Sequence, residues 1–174
     1  MSRGALLLAV ALTLAISPAA ATGQSGAQPD LILVGRDGNT FTGDDIYGNG
    51  AGQQRNVIVD TRVELTIRIQ NDGDHVEDYG LIGTVVSGPA DDFRIRYRLG
   101  NSELQSPFSE RRFSARVYGL KPGSSRDLHI VVRAMKDAPL GSQLHLEVYA
   151  RPPRHGVPES DTVKIEITKT STPV

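Results

Sequence analysis

From Thr61 to Asn71 the chain reads Thr-Arg-Val-Glu-Leu-Thr-Ile-Arg-Ile-Gln-Asn, apolar and polar residues alternating, and it then reaches Asp72-Gly73-Asp74. Alternation at a period of two puts every apolar side chain on one face of an extended strand, and Asp-Gly is turn chemistry. The segment is a half-buried strand entering a reversal. The same period returns over Phe93 to Leu99, Arg112 to Val117, Arg126 to Ala134, Gln143 to Arg151 and Thr162 to Thr168. Beyond residue 21 no stretch sustains an apolar period of 3.6, so an all-β chain is expected.

The first residues are read apart from the fold. Arg3 precedes an apolar run from Ala5 to Ile16, followed by Ser17-Pro18-Ala19-Ala20-Ala21, the pattern of a secretory signal peptide over residues 1–21, cut after Ala21. The run is too short to span a bilayer, which takes about 20 residues. No second such run follows, so no membrane span is expected in the mature chain. Cysteine is absent. A secreted chain without disulfides fits a bacterial or archaeal source, extracellular or periplasmic, whose stability rests on its core.

Residues 22–28 are expected to form a flexible arm, 29–169 one β-sandwich domain, and 170–174 a flexible tail. Gly35 to Gln54, rich in Gly, Asp and Asn, reads as one long loop. Strands are expected at Asp30 to Arg36, Arg62 to Gln70, Glu77 to Val86, Phe93 to Leu99, Arg112 to Tyr118, Arg126 to Ala134, Gln143 to Arg151 and Thr162 to Thr168. Seven or eight short strands with regular turn signals predict a two-sheet antiparallel sandwich with a Greek key path. Its core is expected to hold Leu65, Ile67, Leu81, Ile95, Val117, Ile130, Val132, Leu146, Val148, Val163 and Ile165.

A series of turn motifs adds to this reading: Pro29-Asp30-Leu31, Gly43-Asp44-Asp45-Ile46-Tyr47, Ile69-Gln70-Asn71-Asp72-Gly73, Tyr97-Arg98-Leu99-Gly100, Leu120-Lys121-Pro122-Gly123, Ala138-Pro139-Leu140-Gly141 and Asp161-Thr162-Val163. The series resembles immunoglobulin-like domains of bacterial secreted and cell-surface proteins, including the alpha-galactosidase-associated and cell-adhesion-related groups. The resemblance implies an immunoglobulin-like sandwich and a non-catalytic spacer or interaction module.

Acidic residues cluster in two segments, Asp37, Asp44 and Asp45 in the long loop and Asp72, Asp74, Glu77 and Asp78 around the turn. Calcium takes about six to eight oxygen ligands, which makes Asp44, Asp45, Asp72 and Asp74 the candidates for such a site. The strand path sends Asp37 to the end opposite the Asn71 to Asp74 turn, and no Asp-x-Asp-x-Asp-Gly spacing occurs. Asp, Asn and Gly then read as turn formers, and no metal or other cofactor is expected. His129 and His145 have outward parity on strands expected in different sheets, while His75 and His155 lie in loops, so no histidine metal site is expected. Gly48, Gly50 and Gly52 precede a strand rather than a helix, unlike a phosphate cradle. The motifs of serine hydrolases, zinc proteases and P-loop enzymes are absent, and the chain is read as non-catalytic.

Charge is distributed unevenly. Residues 22–92 carry 4 Lys and Arg against 12 Asp and Glu, a net of −8, whereas residues 93–174 carry 14 against 8, a net of +6. Arg94, Arg96 and Arg98 share one strand face, and Arg112 and Arg116 have outward parity on the next strand. Such a face suits carboxylates, phosphates or sulfates; it equally suits protection of a sheet edge, or cross-strand pairing with Glu147 and Glu166. Trp is absent, and Tyr118 and Tyr149 are the outward aromatics, a poor platform for neutral sugars. The leading expectation is a structural or adhesive surface module working through protein contacts. The alternative is a carbohydrate or anionic-polymer binding module using the arginine face. Partners are expected to be a cell-surface protein or an anionic cell-wall or extracellular polymer, and not nucleic acid.

Overall fold

A computed structural model describes residues 26–48, 54–59, 62–89, 91–104, 112–153 and 160–170. The expected signal peptide, the glycines at 50 and 52, and His155 lie outside them. The described residues form eleven strands: β1 (Pro29–Val34), β2 (Phe41–Thr42), β3 (Gln54–Val59), β4 (Arg62–Asn71), β5 (Glu77–Ser87), β6 (Phe93–Leu99), β7 (Ser102–Leu104), β8 (Arg112–Leu120), β9 (Ser125–Ala134), β10 (Gln143–Arg151) and β11 (Asp161–Lys169). Among these residues no helix is long and apolar enough to cross a membrane.

The strands make two sheets, one in the order β2-β1-β4-β9-β6-β7 and the other β3-β11-β10-β5-β8. Taken in chain order, β1, β4, β5, β6, β9, β10 and β11 fill the places of a seven-stranded immunoglobulin constant-type sandwich. First, second, fifth and fourth share one sheet; third, sixth and seventh share the other. The expected immunoglobulin-like sandwich is the one observed. All eight expected strands are present, with β8 forming the far edge beside β5.

Three strands went unforeseen. β2 and β7 are two and three residues long, too short to show a period. β3 pairs with β11 in parallel, from Lys164 opposite Gln54 to Lys169 opposite Val59, so it is defined by a partner more than 100 residues away.

The period of two does what it implies. β4 alternates buried and more exposed residues along its whole length, and Val63, Leu65, Ile67 and Ile69 face the core. All eleven residues expected in the core belong to one buried cluster. Tyr97 of β6 and Phe113 of β8 join the two sheets, ring centroids 4.3 Å apart. Phe113 fits because position 83 opposite it on β5 is glycine: a Cβ there would lie 1.9 Å from the ring.

The packed part begins before Pro29. Ala27 and Gln28 are buried, and the Gln28 carbonyl accepts the Asp72 amide at 2.9 Å, so the end of the expected arm is tied to the β4–β5 turn.

Candidate functional site

The outer face of the β4-β9-β6 sheet is set by register. Arg62 of β4 lies opposite Arg133 of β9, and Arg133 lies opposite Arg94 of β6. Three guanidinium groups therefore cross three adjacent strands in one row. With strands about 4.8 Å apart the row is roughly 10 Å long. These residues and Lys136 line a concavity of about 540 Å³ with Ala134 and Met135, and none of its lining residues is acidic. The β9–β10 loop beneath it is held by Lys169, whose ammonium donates to the carbonyls of Met135, Lys136 and Ala138 at 2.9, 3.2 and 2.6 Å.

Like charges placed directly opposite one another destabilise a sheet. From Arg62 along the rest of the face, charges are paired. Glu64 accepts from Arg62 at 3.1 Å and from Arg98 at 3.3 Å, and Arg68 forms a two-point bridge to Asp127 at 2.9 and 3.2 Å while stacking over Phe41. Of the arginines expected to act together, Arg94, Arg96 and Arg98 do share this face, but Arg98 is partly neutralised. Arg112 and Arg116 lie on β8 in the other sheet and face outward from the opposite side of the sandwich, so they do not extend the row. Glu147 pairs with Lys164 at 3.6 Å and Glu166 accepts from Gln143, so neither serves the β6 arginines. Arg62 and Arg133 were missed because their outward parity was visible but their alignment with Arg94 was not.

The second charged locus lies at the other end of β4. The strand path was expected to send Asp37 to the far end, and Asp37 does stay there, bound to Thr40. Asp44 and Asp45 instead return. Gly43 at φ 95° and Asp45 at φ 59° take the left-handed conformations that fold the segment back. The Asp45 amide donates to Asp30 Oδ2 at 3.1 Å, and the Tyr47 hydroxyl lies 2.7 Å from Asp72 Oδ2 and 3.1 Å from Asp45 Oδ1. One carboxylate oxygen from each of Asp30, Asp45 and Asp72 lies within 4.8 Å of the other two. Asp74 is engaged elsewhere, with His75, whose charged form is favoured first by Asp74 and then by Glu77.

Asp30 is fully buried. Burial, and then the charges of Asp72, Asp161 and Asp44, push its carboxyl up from 3.8 to about 7, against the lowering effect of the Asp45 amide. An unfolded chain releases that proton near 3.8, while the folded chain keeps it to about 7. The folded state thus binds more protons across this window, and the metal-free protein should lose stability as pH rises through it, levelling off above. Urea midpoints from pH 4 to 8 in chelator should show this decline, and Asp30→Asn should flatten it. An unchanged slope in that variant would assign the decline to other groups.

Among the described residues, His129 and His145 do not converge. His129 and His145 lie on β9 and β10, in different sheets, as their strands implied, and His129 sits 3.2 Å from the Thr66 hydroxyl.

No family model matches the chain, and no curated protein matches it. Solved structures with a similar strand arrangement include the N-terminal domain of PorA, at 13% identity and TM-score 0.46, covering 82% of this chain and 99% of that one. A family 123 glycoside hydrolase from Clostridium perfringens aligns at 9% identity and TM-score 0.45, covering 69% of this chain and 23% of that one. The collagen-binding subdomain of Enterococcus faecalis surface protein ACE aligns at 9% identity and TM-score 0.41, covering 65% and 93%. A likeness shared by proteins of such different roles does not distinguish functions.

Proposed function

We propose that the chain is a non-catalytic binding module of the cell exterior that grips anionic polymer, such as an acidic wall or extracellular polysaccharide, through the arginine row of the six-stranded sheet. The observation that carries this reading is the register of Arg62, Arg133 and Arg94 beside Lys136 in a concavity with no acidic lining residue, where Glu64 pairs with Arg62 alone of the four. Edge protection accounts for Arg94 and Arg96, because β7 covers only the Tyr97–Leu99 part of β6. It does not account for Arg133, which has β4 on one side and β6 on the other; Arg62 lies on the part of β4 that β1 does not cover. The secreted setting rests on the leader pattern of residues 1–21. Of the large exposed apolar residues, Phe41, Ile46 and Tyr47 share the segment that follows β1, whereas Val76, Val86, Tyr118 and Leu140 lie on other turns and strands, away from the arginine row.

Retention on heparin and on isolated cell wall, measured across a salt series, tests the reading. The wild type should be retained at low salt and released steeply as salt rises, since exposed charges are screened over about 8 Å at physiological ionic strength. Serine at Arg62, Arg94 and Arg133 together should abolish retention, while serine at Arg112 and Arg116 should change it little. The opposite ranking would move the site to the other sheet. No retention of the wild type at low salt would return the bet to adhesion through protein contacts.

A further inference from the structure

The acidic end of the sandwich contains a group that turn chemistry does not explain. Oδ1 of Asp30 has less than 1 Å² of surface and no hydrogen-bond partner, although the side chain lies among Asp44, Asp45, Asp72 and Asp161. Buried polar atoms are nearly always paired, and an unpaired carboxylate oxygen among other carboxylates is the costliest kind to leave. Asp161 has its own work, since its Oδ2 accepts the Leu31 amide at 2.7 Å and its Oδ1 the Thr162 amide at 2.8 Å. Asp30 Oδ2 already serves the Asp45 amide. What remains at Asp30, Asp45 and Asp72 is a cluster of oxygens with a buried, unsatisfied acceptor and, among the described residues, no cationic side chain bound to them.

We propose that Asp30, Asp45 and Asp72 form a calcium site, with Asp30 as its buried anchor and the returning loop as its outer wall. Oxygens on a calcium coordination sphere of radius about 2.4 Å are at most about 4.8 Å apart. One oxygen from each of the three carboxylates lies within 4.8 Å of the other two, inside that limit. The ligand set is all oxygen and lacks imidazole and thiolate, which suits a hard cation rather than zinc or copper. Tyr47 and Gln70 hold Asp72 by its two oxygens, at 2.7 and 2.8 Å, and orient it without using up its lone pairs. Asp45 reaches the cluster only because the loop folds back, so the ion fastens that loop to the sheet. Of the four acids the sequence pointed to, Asp45 and Asp72 belong here; Asp44 contributes charge nearby and Asp74 is held by His75.

The test is thermal melting and titration calorimetry of the full chain with calcium chloride alone, at pH 8 and constant ionic strength, after chelator treatment. Calcium at about 100 times its dissociation constant should raise the melting temperature by roughly 5 to 10 °C, and the isotherm should fit one site. Magnesium, which demands a tighter octahedron, should raise it less. Asp30→Asn and Asp45→Asn should each weaken calcium binding at least tenfold. Without calcium, Asp30→Asn should melt no lower than the wild type, because it removes a buried charge; if it fails to fold, Asp45→Asn on the exposed loop carries the test alone. No calcium-dependent shift and no binding heat in the wild type would overturn the proposal, as would a shift that both variants retain in full.

Discussion

Asn71→Ala is expected to lower the stability of the sandwich by about 3 to 5 kcal/mol, because several buried groups lose their partner at once and each costs about 1 to 3 kcal/mol. Asn71 is fully buried. Its Nδ2 donates to the carbonyls of His75 and Leu120, both at 2.8 Å, and its Oδ1 accepts from the Tyr79 hydroxyl at 2.6 Å and the Gly73 amide at 3.0 Å. One side chain thus ties the β4–β5 turn to the end of β8. The main-chain bonds of Asn71 to Ser124 and Gly123 survive the substitution, so the loss isolates the amide. Asn71→Asp provides the second reading: it keeps both acceptor bonds but offers no donor and sets a charge against two carbonyls. Urea denaturation midpoints should place it well below the wild type at pH 7. A loss under about 1 kcal/mol for Asn71→Ala would show that the four bonds do not hold the turns together.

Ile67→Ala is the second large effect, expected at about 2 to 5 kcal/mol, the cost of deleting a fully buried aliphatic side chain and leaving a cavity. Ile67 has no exposed surface, whereas its neighbour Thr66 is half-buried on the outer face beside His129. Thr66→Ala should cost no more than about 1 kcal/mol, roughly one net hydrogen bond. Denaturant midpoints for the two variants compare adjacent positions of opposite parity. Equal losses would mean that β4 is turned over, with every side chain on the wrong face.

The contrast between these two residues marks what was legible beforehand. Parity along a strand is local, so the inward set from Leu65 to Ile165 and the bounds of β6 and β10 followed from alternation alone. Register between strands is not local. Arg62, Arg133 and Arg94 lie far apart in sequence, and only the order β4-β9-β6 aligns them. β3 is likewise a product of its partner, since nothing in Gln-Arg-Asn-Val-Ile-Val sets a period. The acidic locus was half visible. Asp44, Asp45 and Asp72 stood out as loop acids, but Asp30 looked like an ordinary strand residue. The return of the loop depends on the left-handed Gly43 and Asp45, conformations that Gly-Asp-Asp permits without requiring.

Arg62 opens β4 and Asp72 follows its last residue, so the ten residues of the strand hold the two charged loci roughly 30 Å apart, at about 3.4 Å per residue. In physiological salt that distance is several screening lengths, the length being about 8 Å, and each end acts as though the other were absent. In dilute buffer near 0.01 M the screening length grows to about 30 Å, the length of the strand, so each end then feels the charge of the other.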